Sequence, residues 1–248
     1  MDIFVVPLVC GNADVLFLGG SMLILCFILA CATKEQDVVS STIESDVSGY
    51  ITSLLGAGGV EDVTVCAADC TTTDESGFYI LQAQNPSSDW SLHMTGDDLV
   101  SGIVPFVVSP PAQELPNISL VSPTLIDAQM NMVDLTWEEN TGILAFSFSN
   151  GIFGDGINVP NISISMTEEQ GSGPFYTNEQ GLPSSAFVET TSHGGGVWVN
   201  IPAGTHTFET AGLPTGCTLL LGWGNVEQVH IPIVENHITF LRIECLEE

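Results

Sequence analysis

Basic residues are almost absent from this sequence. Its 248 residues include only Lys34 and Arg242, against 30 Asp and Glu, so the formal net charge is −28. A nucleic-acid-binding surface needs Lys and Arg to replace phosphate counterions, and we therefore exclude nucleic acid as a partner. Few salt bridges can form, so the fold must depend on buried apolar side chains and on disulfide bonds.

Catalytic signatures are also missing. The sequence contains no Gly-x-Ser-x-Gly elbow, no glycine-rich phosphate loop after a strand and no Asp-x-Asp-x-Asp-Gly calcium loop. Adjacent carboxylates occur at 97–98, 138–139 and 168–169, but chance produces such pairs among 30 acids. We predict a protein that is not an enzyme and holds no cofactor and no metal.

One sequence motif typical of zinc hydrolases does occur. His206 and Glu209 match the His-x-x-Glu spacing of a zinc carboxypeptidase. The surrounding alternation predicts a strand, which places residues three apart on opposite faces. A metal-dependent hydrolase therefore stays a minor alternative.

The N-terminal residues 1–31 are strongly apolar. They end in Ile28-Leu29-Ala30-Cys31, which resembles a bacterial lipoprotein signal, and that resemblance implies lipidation of Cys31 and removal of everything before it. Asp2 and Asp14 stand where such signals carry positive charge, so a retained transmembrane helix is the alternative. Either anchor implies export to the outer membrane, cell surface or periplasm. The polar residues 32–45 are expected to form a flexible tether.

The remainder of the chain shows the patterns of strands. Short apolar runs with period-two alternation, such as residues 62–67, 78–82 and 90–95, are separated by Gly, Pro, Asn and Ser. This pattern predicts an all-β protein. His93 falls on the outer face of the third run, where we expect a solvated side chain.

A turn motif lies between the first two runs. The Asp74 carboxylate can accept hydrogen bonds from N–H groups two residues on, and Gly77 can adopt positive φ, so we predict a hairpin turn. A metal ligand role for Asp74 is the alternative, and a turn-capping carboxylate is favoured.

The stretch around this turn resembles the carboxypeptidase regulatory-like family. The family pattern V-x-G-x-I, G-x-x-x-V-x-V, T-T-D-x-x-G-x-Y-x-L falls on Val47, Gly49, Ile51, Gly59, Val63, Val65, Thr72, Thr73, Asp74, Gly77, Tyr79 and Leu81. The resemblance implies a transthyretin-like, Ig-type β-sandwich over 46–112. It implies little about function, since such modules are usually accessory.

A second, divergent β-sandwich is predicted over 122–248, after a linker at 113–121 that follows Pro110-Pro111 and contains Pro116. Its segment Thr190–Val199 echoes residues 71–80 in its Thr-Thr, polar turn, Gly and alternating strand. Gly154–Val159 is similar to Gly59–Val65, and residues 171–187 form a longer insertion. We infer a second copy of the module.

One short helix is expected at the start of this second sandwich. Ser122 is a suitable N-cap and Pro123 a suitable first helical residue. Leu125, Ile126 and Met130 then form one apolar face.

The cysteines outside the leader can be paired. Cys66 and Cys70 have a zinc-like proximity but no second pair nearby, so in an exported chain we predict a local disulfide. Cys217 and Cys245 remain as the second pair. The other cysteines, Cys10, Cys26 and Cys31, fall in the leader.

These features favour a membrane-anchored surface or periplasmic lipoprotein with a structural, adhesive or interaction role and an unknown protein or glycan partner. A carbohydrate- or peptide-binding module is the alternative. It would require an exposed row of aromatic side chains among Trp137, Tyr176, Trp198 and Trp223, of which we expect Trp198 and Trp223 to be core residues instead.

Overall fold

The computed structural model describes residues 45–54, 58–84, 89–150 and 157–245. The chain divides into two units, Met1–Ser40 and Ser41–Glu248, and every described residue belongs to the second. These residues form strands and one helix, which confirms the predicted all-β class. The predicted leader and tether, including Cys31, lie outside the described residues except for Ser45.

The first half contains eight strands. They are β1 (Ser45–Ser53), β2 (Thr64–Cys66), β3 (Cys70–Thr72), β4 (Phe78–Gln84), β5 (Asp89–Thr95), β6 (Ser101–Val107), β7 (Ala112–Glu114) and β8 (Ile118–Leu120). One sheet has the order β4-β1-β7, with β8 also paired to β1, and the other side of the sandwich is β3-β2-β5-β6. Apolar side chains between them form a buried core that includes Val47, Ile51, Val65, Tyr79, Leu92 and Phe106.

The second half contains the helix and eleven strands. They are α1 (Pro123–Asn131), β9 (Thr141–Asn150), β10 (Ile157–Asn158), β11 (Ser163–Met166), β12 (Ser172–Thr177), β13 (Pro183–Ser184), β14 (Gly195–Pro202), β15 (Gly204–Ala211), β16 (Cys217–Leu221), β17 (Trp223–Gly224), β18 (Gln228–Ile233) and β19 (His237–Cys245). The sheet β11-β15-β18-β17 packs on strands β9, β14 and β19. Their shared core includes Phe146, Phe148, Trp198, Phe208, Ile231 and Leu241.

The last strand joins the two halves into a continuous sheet. β19 pairs in parallel with β9 on one side and with β6 on the other, so the central sheet has the order β13-β12-β14-β9-β19-β6-β5-β2-β3. A Cβ added at Gly102 in β6 would lie 3.0 Å from Leu120 of β8 and 3.1 Å from Phe240 of β19. The sheet β4-β1-β7 of the first half therefore packs on the face of the central sheet that carries Phe240. Leu241 lies on the opposite face and packs in the core of the second half.

The segment predicted as a linker, residues 113–121, forms most of β7 and β8. Both strands pair in parallel with β1. Pro116 is compatible with this pairing, because it stands between the paired positions of β7 and β8. The division into domains at residues 112 and 122 stays a prediction.

The helix α1 forms as predicted. The Ser122 side chain accepts a hydrogen bond from the Leu125 N–H at 3.3 Å, and Pro123 occupies the first turn. Ile126 and Met130 are buried, while Leu125 packs half-buried against the same cluster. The helix thereby covers one end of the sheet face that carries Ile143 and Ile238.

A buried threonine organises the first half. The Thr73 hydroxyl accepts from the Val63 N–H at 2.9 Å and donates to the Val60 carbonyl at 2.6 Å. The Ile51 N–H donates to the Gly77 carbonyl, and the Val60 N–H donates to the Ile51 carbonyl. This frame satisfies backbone groups where the chain passes between the two sheets.

The second half repeats this frame bond for bond. The Thr190 hydroxyl accepts from the Ile162 N–H at 3.0 Å and donates to the Val159 carbonyl at 2.8 Å. The Phe148 N–H donates to the Gly194 carbonyl, and the Val159 N–H donates to the Phe148 carbonyl. Thr73 thus corresponds to Thr190, Ile51 to Phe148 and Gly77 to Gly194. The inferred second copy is visible in the hydrogen bonds.

Two details of the sequence interpretation were wrong. The turn at residues 73–77 does not close a hairpin, because β3 pairs with β2 and β4 pairs with β1, in different sheets. The second copy is also out of register with both proposed matches. Thr190 corresponds to Thr73 and not to Thr71, and Val159 corresponds to Val60 and not to Val65. Period-two patterns identify strands but not their partners.

Candidate functional site

Both predicted cysteine pairs are disulfide bonds in the structure. Cys66 and Cys70 close the tip between β2 and β3, with their sulfurs 2.03 Å apart. Cys217 and Cys245 are register partners on β16 and β19, with an S–S distance of 2.05 Å. The second bond ties down the strand that joins the halves. Neither pair is arranged as a zinc site.

Asp74 and Gly77 build the expected turn, although it links two sheets. Asp74 Oδ1 accepts from the Ser76 N–H at 2.8 Å, the Ser76 hydroxyl at 2.6 Å and the Phe78 N–H at 3.0 Å. The Ser76 hydroxyl, and then the Phe78 N–H, lower the pKa of this exposed carboxyl. Gly77 has φ of +79°, and a Cβ there would lie 2.2 Å from the Ile51 carbonyl oxygen.

The histidines do not assemble a metal centre in the described part of the chain. On β15, His206 bonds through Nε2 to the Pro202 carbonyl at 2.8 Å, and Glu209 lies three residues on. Over residues 45–245, apart from the gaps given above, no three His, Cys, Asp or Glu side chains converge as a metal would require. His93 is exposed as expected, and its ring centroid lies 6.4 Å from that of His237. Partial burial, and then His237, lower the pKa of His93.

The four aromatic residues considered for glycan stacking do not form an open row. Tyr176 and Trp198 are buried in the second core, at 1% and 3% exposure. Trp137 and Trp223 are half-buried, and their indole N–H groups donate to the Thr141 and Trp90 carbonyls. Trp198 is therefore a core residue as expected, but the expectation for Trp223 was wrong: it is half-buried and contacts Trp90 of the first half.

The structure shows instead a groove on the outer face of the second half. Its floor is the face of β9, β14 and β19 that points away from the second core, formed by Ala145, Ser147, Val197, Phe240 and Arg242. The cavity volume is about 330 Å³. We call this cavity the outer groove.

Three elements wall the outer groove. Helix α1 contributes Ile126, β8 contributes Ile118, and β13 with the loop before β14 contributes Pro183 and His193. The lining is mainly apolar, with a few polar side chains. The groove remains open because the two halves place their covering sheets on opposite faces of the shared sheet.

Arg242 is the charged group of the groove and the one Lys or Arg among the described residues. It is half-buried and donates from Nη2 to the Ser149 hydroxyl at 3.1 Å. Burial lowers the pKa of the guanidinium, and Glu244, two residues further along β19, opposes that shift. The pKa of a guanidinium is so high that it keeps its charge here.

Sequence reasoning did not find this groove. Arg242 was recognisable as the basic residue of the second half, but nothing in the local pattern shows that β19 places it beside β9 and β14. The alternation of β9 marks Ala145 and Ser147 only as one strand face. The groove could be recognised only by comparing the two halves: Tyr50 and Phe78 of the first half correspond to the small residues Ser147 and Gly195 of the second.

No protein-family model and no curated protein matches the chain. Solved structures with some similarity include the Bacillus anthracis TIE protein (14% identity, TM-score 0.27, 83% of this chain and 35% of that one) and a streptococcal ancillary pilin (13%, 0.27, 84% and 64%). The minor pilin GBS52 of Streptococcus agalactiae is 11% identical, with a TM-score of 0.28 over 82% of this chain and 97% of that one. This chain thus spans about a third and about two thirds of the first two. TM-scores this low support no conclusion about this chain.

Proposed function

We propose that this chain is an exported, membrane-anchored surface or periplasmic lipoprotein with a structural, adhesive or interaction role. The leader predicted over 1–31 would supply the anchor at Cys31. The observation that carries the proposal is the way β19 is held: it is hydrogen-bonded to both halves and fixed at its end by Cys217–Cys245.

Disulfide bonds of this kind support a location outside the cytoplasm, where thiols are not kept reduced. All four cysteines of the described residues are used in such bonds. The composition also supports a role for disulfide bonds in stability. With two basic residues in the sequence, the chain cannot be stabilised by networks of ion pairs.

The joined sheet supports a structural role. Two sandwiches connected only by a linker move relative to each other by default. Here parallel pairing of β19 with β6 and β9 makes one sheet run through both halves, so force or contact at one half is transmitted to the other through backbone hydrogen bonds.

Native material tests the proposal directly. Cells are lysed in denaturant with an alkylating reagent, and the intact mass of the protein is measured with and without prior reduction. We expect no alkylation of Cys66, Cys70, Cys217 and Cys245 without reductant, four additions with it, and a mass that begins at a lipidated Cys31.

The protein should also fractionate with membranes and be cleaved by protease added to intact cells or spheroplasts. Four reactive thiols in native material, or recovery from the cytosol, would contradict the proposal. A mass that retains residues 1–30 would replace the lipid anchor by a transmembrane one.

A further inference from the structure

The outer groove has the size and lining of a ligand site. Small-molecule sites typically occupy about 300–1,000 Å³ and are lined by apolar side chains with a few placed polar groups. The groove has about 330 Å³, at the small end of that range. Ile118, Ile126, Ile143 and Ile238 line it toward α1, and Arg242 lies further along β19.

The groove exists because a pair of aromatic residues is replaced. In the first half, Tyr50 and Phe78 are register partners on the outer face, with ring centroids 5.2 Å apart. The frame places Ser147 and Gly195 at the corresponding positions, and these too are register partners. A Cβ at Gly195 would lie 2.9 Å from the Phe146 carbonyl oxygen, so the backbone leaves no room for a side chain there. The space that two aromatic rings fill in one half is open in the other.

The charge of the groove selects the ligand. The whole chain has a net charge of −28, and anions are repelled from its surface in general. Arg242 is the exception: it is held half-buried beside apolar walls, and Glu244 already acts on its charge. A charge-assisted hydrogen bond to a carboxylate is stronger in such a place than in water. A cation, by contrast, would find many equivalent acidic places on the surface.

We propose that the outer groove binds a medium-chain alkyl carboxylate, with the carboxylate at Arg242 and the alkyl chain along Ala145, Val197 and Phe240 toward the isoleucines below α1. The guanidinium has five N–H donors in a planar fork that matches a carboxylate. The alkyl chain covers the partly exposed side chains of Ala145, Val197 and Phe240, which water otherwise contacts. This inference rests on the groove and is independent of the proposed surface role.

Isothermal titration of the purified full-length protein with decanoate, octanoate and decanol tests the proposal. Affinity should rise about fourfold for each methylene added between octanoate and decanoate. Decanol, with the same chain and no charge, should bind at least tenfold more weakly than decanoate. Equal affinity for decanoate and decanol, or no binding of decanoate, would overturn the proposal.

Two variants locate the site. Ser147→Tyr fills the groove with the residue that the first half carries at the same place, and it should weaken decanoate binding at least tenfold while the melting temperature is kept. Arg242→Gln should reduce decanoate to the level of decanol and leave decanol within twofold. Gln228→Glu is the matched control, because it changes the net charge by the same amount at an exposed position of β18, and decanoate should bind it within twofold of the wild type.

If Arg242→Gln fails to fold, the Ser147→Tyr result decides alone. Decanoate binding unchanged by Ser147→Tyr would place the ligand elsewhere and refute the inference. A ten-residue peptide with a free C-terminal carboxylate serves as a competitor. Binding of that peptide in a Ser147-dependent way, with none of decanoate, would assign the groove to peptides and refute the alkyl ligand.

Discussion

The outer face of the β1–β4 pair carries Tyr50 opposite Phe78, and the outer face of the β9–β14 pair carries Ser147 opposite Gly195. The same backbone frame therefore produces a covered surface in the first half and an open groove in the second. The frame itself, centred on the Thr73 and Thr190 hydroxyls, is unchanged. Side chains that point outward are free to diverge, because they do not hold the two sheets together.

The inner faces differ in a complementary way. In the first half Gly49 pairs with Tyr79, and in the second Phe146 pairs with Gly196. The large and the small residue have exchanged strands, and each core stays filled. A Cβ at Gly196 would lie 2.4 Å from the Phe146 ring, and one at Gly49 would lie 2.7 Å from the Tyr79 hydroxyl. Volume is kept where the sheets meet, and only the position of the ring changes.

The largest difference between the halves should come from their disulfides. Cys217 and Cys245 are 28 residues apart, whereas Cys66 and Cys70 are 4 apart. Chain entropy therefore predicts that changing the first pair to Ser lowers the unfolding free energy by about 3.5 kcal/mol, and changing the second pair lowers it by about 2 kcal/mol. Urea denaturation of the two double variants measures this. A larger loss from the Cys66–Cys70 pair would show that closing the β2–β3 tip matters more than holding β19.

Changing Gly196→Ala should be the next most damaging step. The added Cβ meets the Phe146 ring and also the Phe175 carbonyl oxygen at 2.6 Å, so we expect a loss toward the upper end of about 1–3 kcal/mol. Gly49→Ala should lose less, because the nearest atom is the end of the Tyr79 side chain. Thermal denaturation compares the two, and adding Phe146→Leu should recover part of the Gly196→Ala loss. Equal losses at both glycines would contradict the exchange described above.

The two threonines should behave alike. Thr73→Val and Thr190→Val keep the side-chain shape but leave a buried N–H and a buried carbonyl without a partner. We expect each variant to lose about 2 kcal/mol of unfolding free energy. Chemical denaturation of the two variants gives the comparison. A loss in one half and none in the other would mean that only one copy depends on the frame.

The smallest effect concerns the turns. The pKa of Asp74 is lowered by hydrogen bonds from the Ser76 side chain and the Phe78 N–H, so its contribution to stability is present above the unfolded-state pKa and is lost as pH falls through the folded-state value. The second half uses Thr191, whose uncharged hydroxyl accepts from the His193 N–H at 3.1 Å. Asp74→Asn should therefore lower the urea midpoint slightly at pH 6, with the difference shrinking toward pH 3. Thr191→Val should show a difference that does not vary over this range.

Much of the frame could be predicted from residue types. The N-cap at Ser122, the Asp74 turn with positive φ at Gly77 and the buried alternation of Leu92 and Met94 each follow from local chemistry. The repeat was visible in the sequence as a Thr-Thr pair, a polar turn, Gly and an alternating strand. These features are local, and each is decided by the residue that occupies one position.

The groove could not be predicted, because it depends on which strands become neighbours. Ser147 and Gly195 are 48 positions apart in the sequence, as their numbers show, and meet only through the register of β9 and β14. Arg242 joins them because β19 lies between β9 and β6 in parallel. Local alternation fixes the face of a residue within a strand and leaves strand order open. The mistaken hairpin at residues 73–77 has the same cause.

The two halves share one hydrogen-bonded frame, and amide hydrogen exchange of the full-length protein tests this most directly. The Val63 and Ile162 amides, which donate to Thr73 and Thr190, should both be strongly protected and exchange at rates within about tenfold of each other. Exchange of either amide at the rate of an unfolded peptide, while the other stays protected, would show that the two halves do not share this frame.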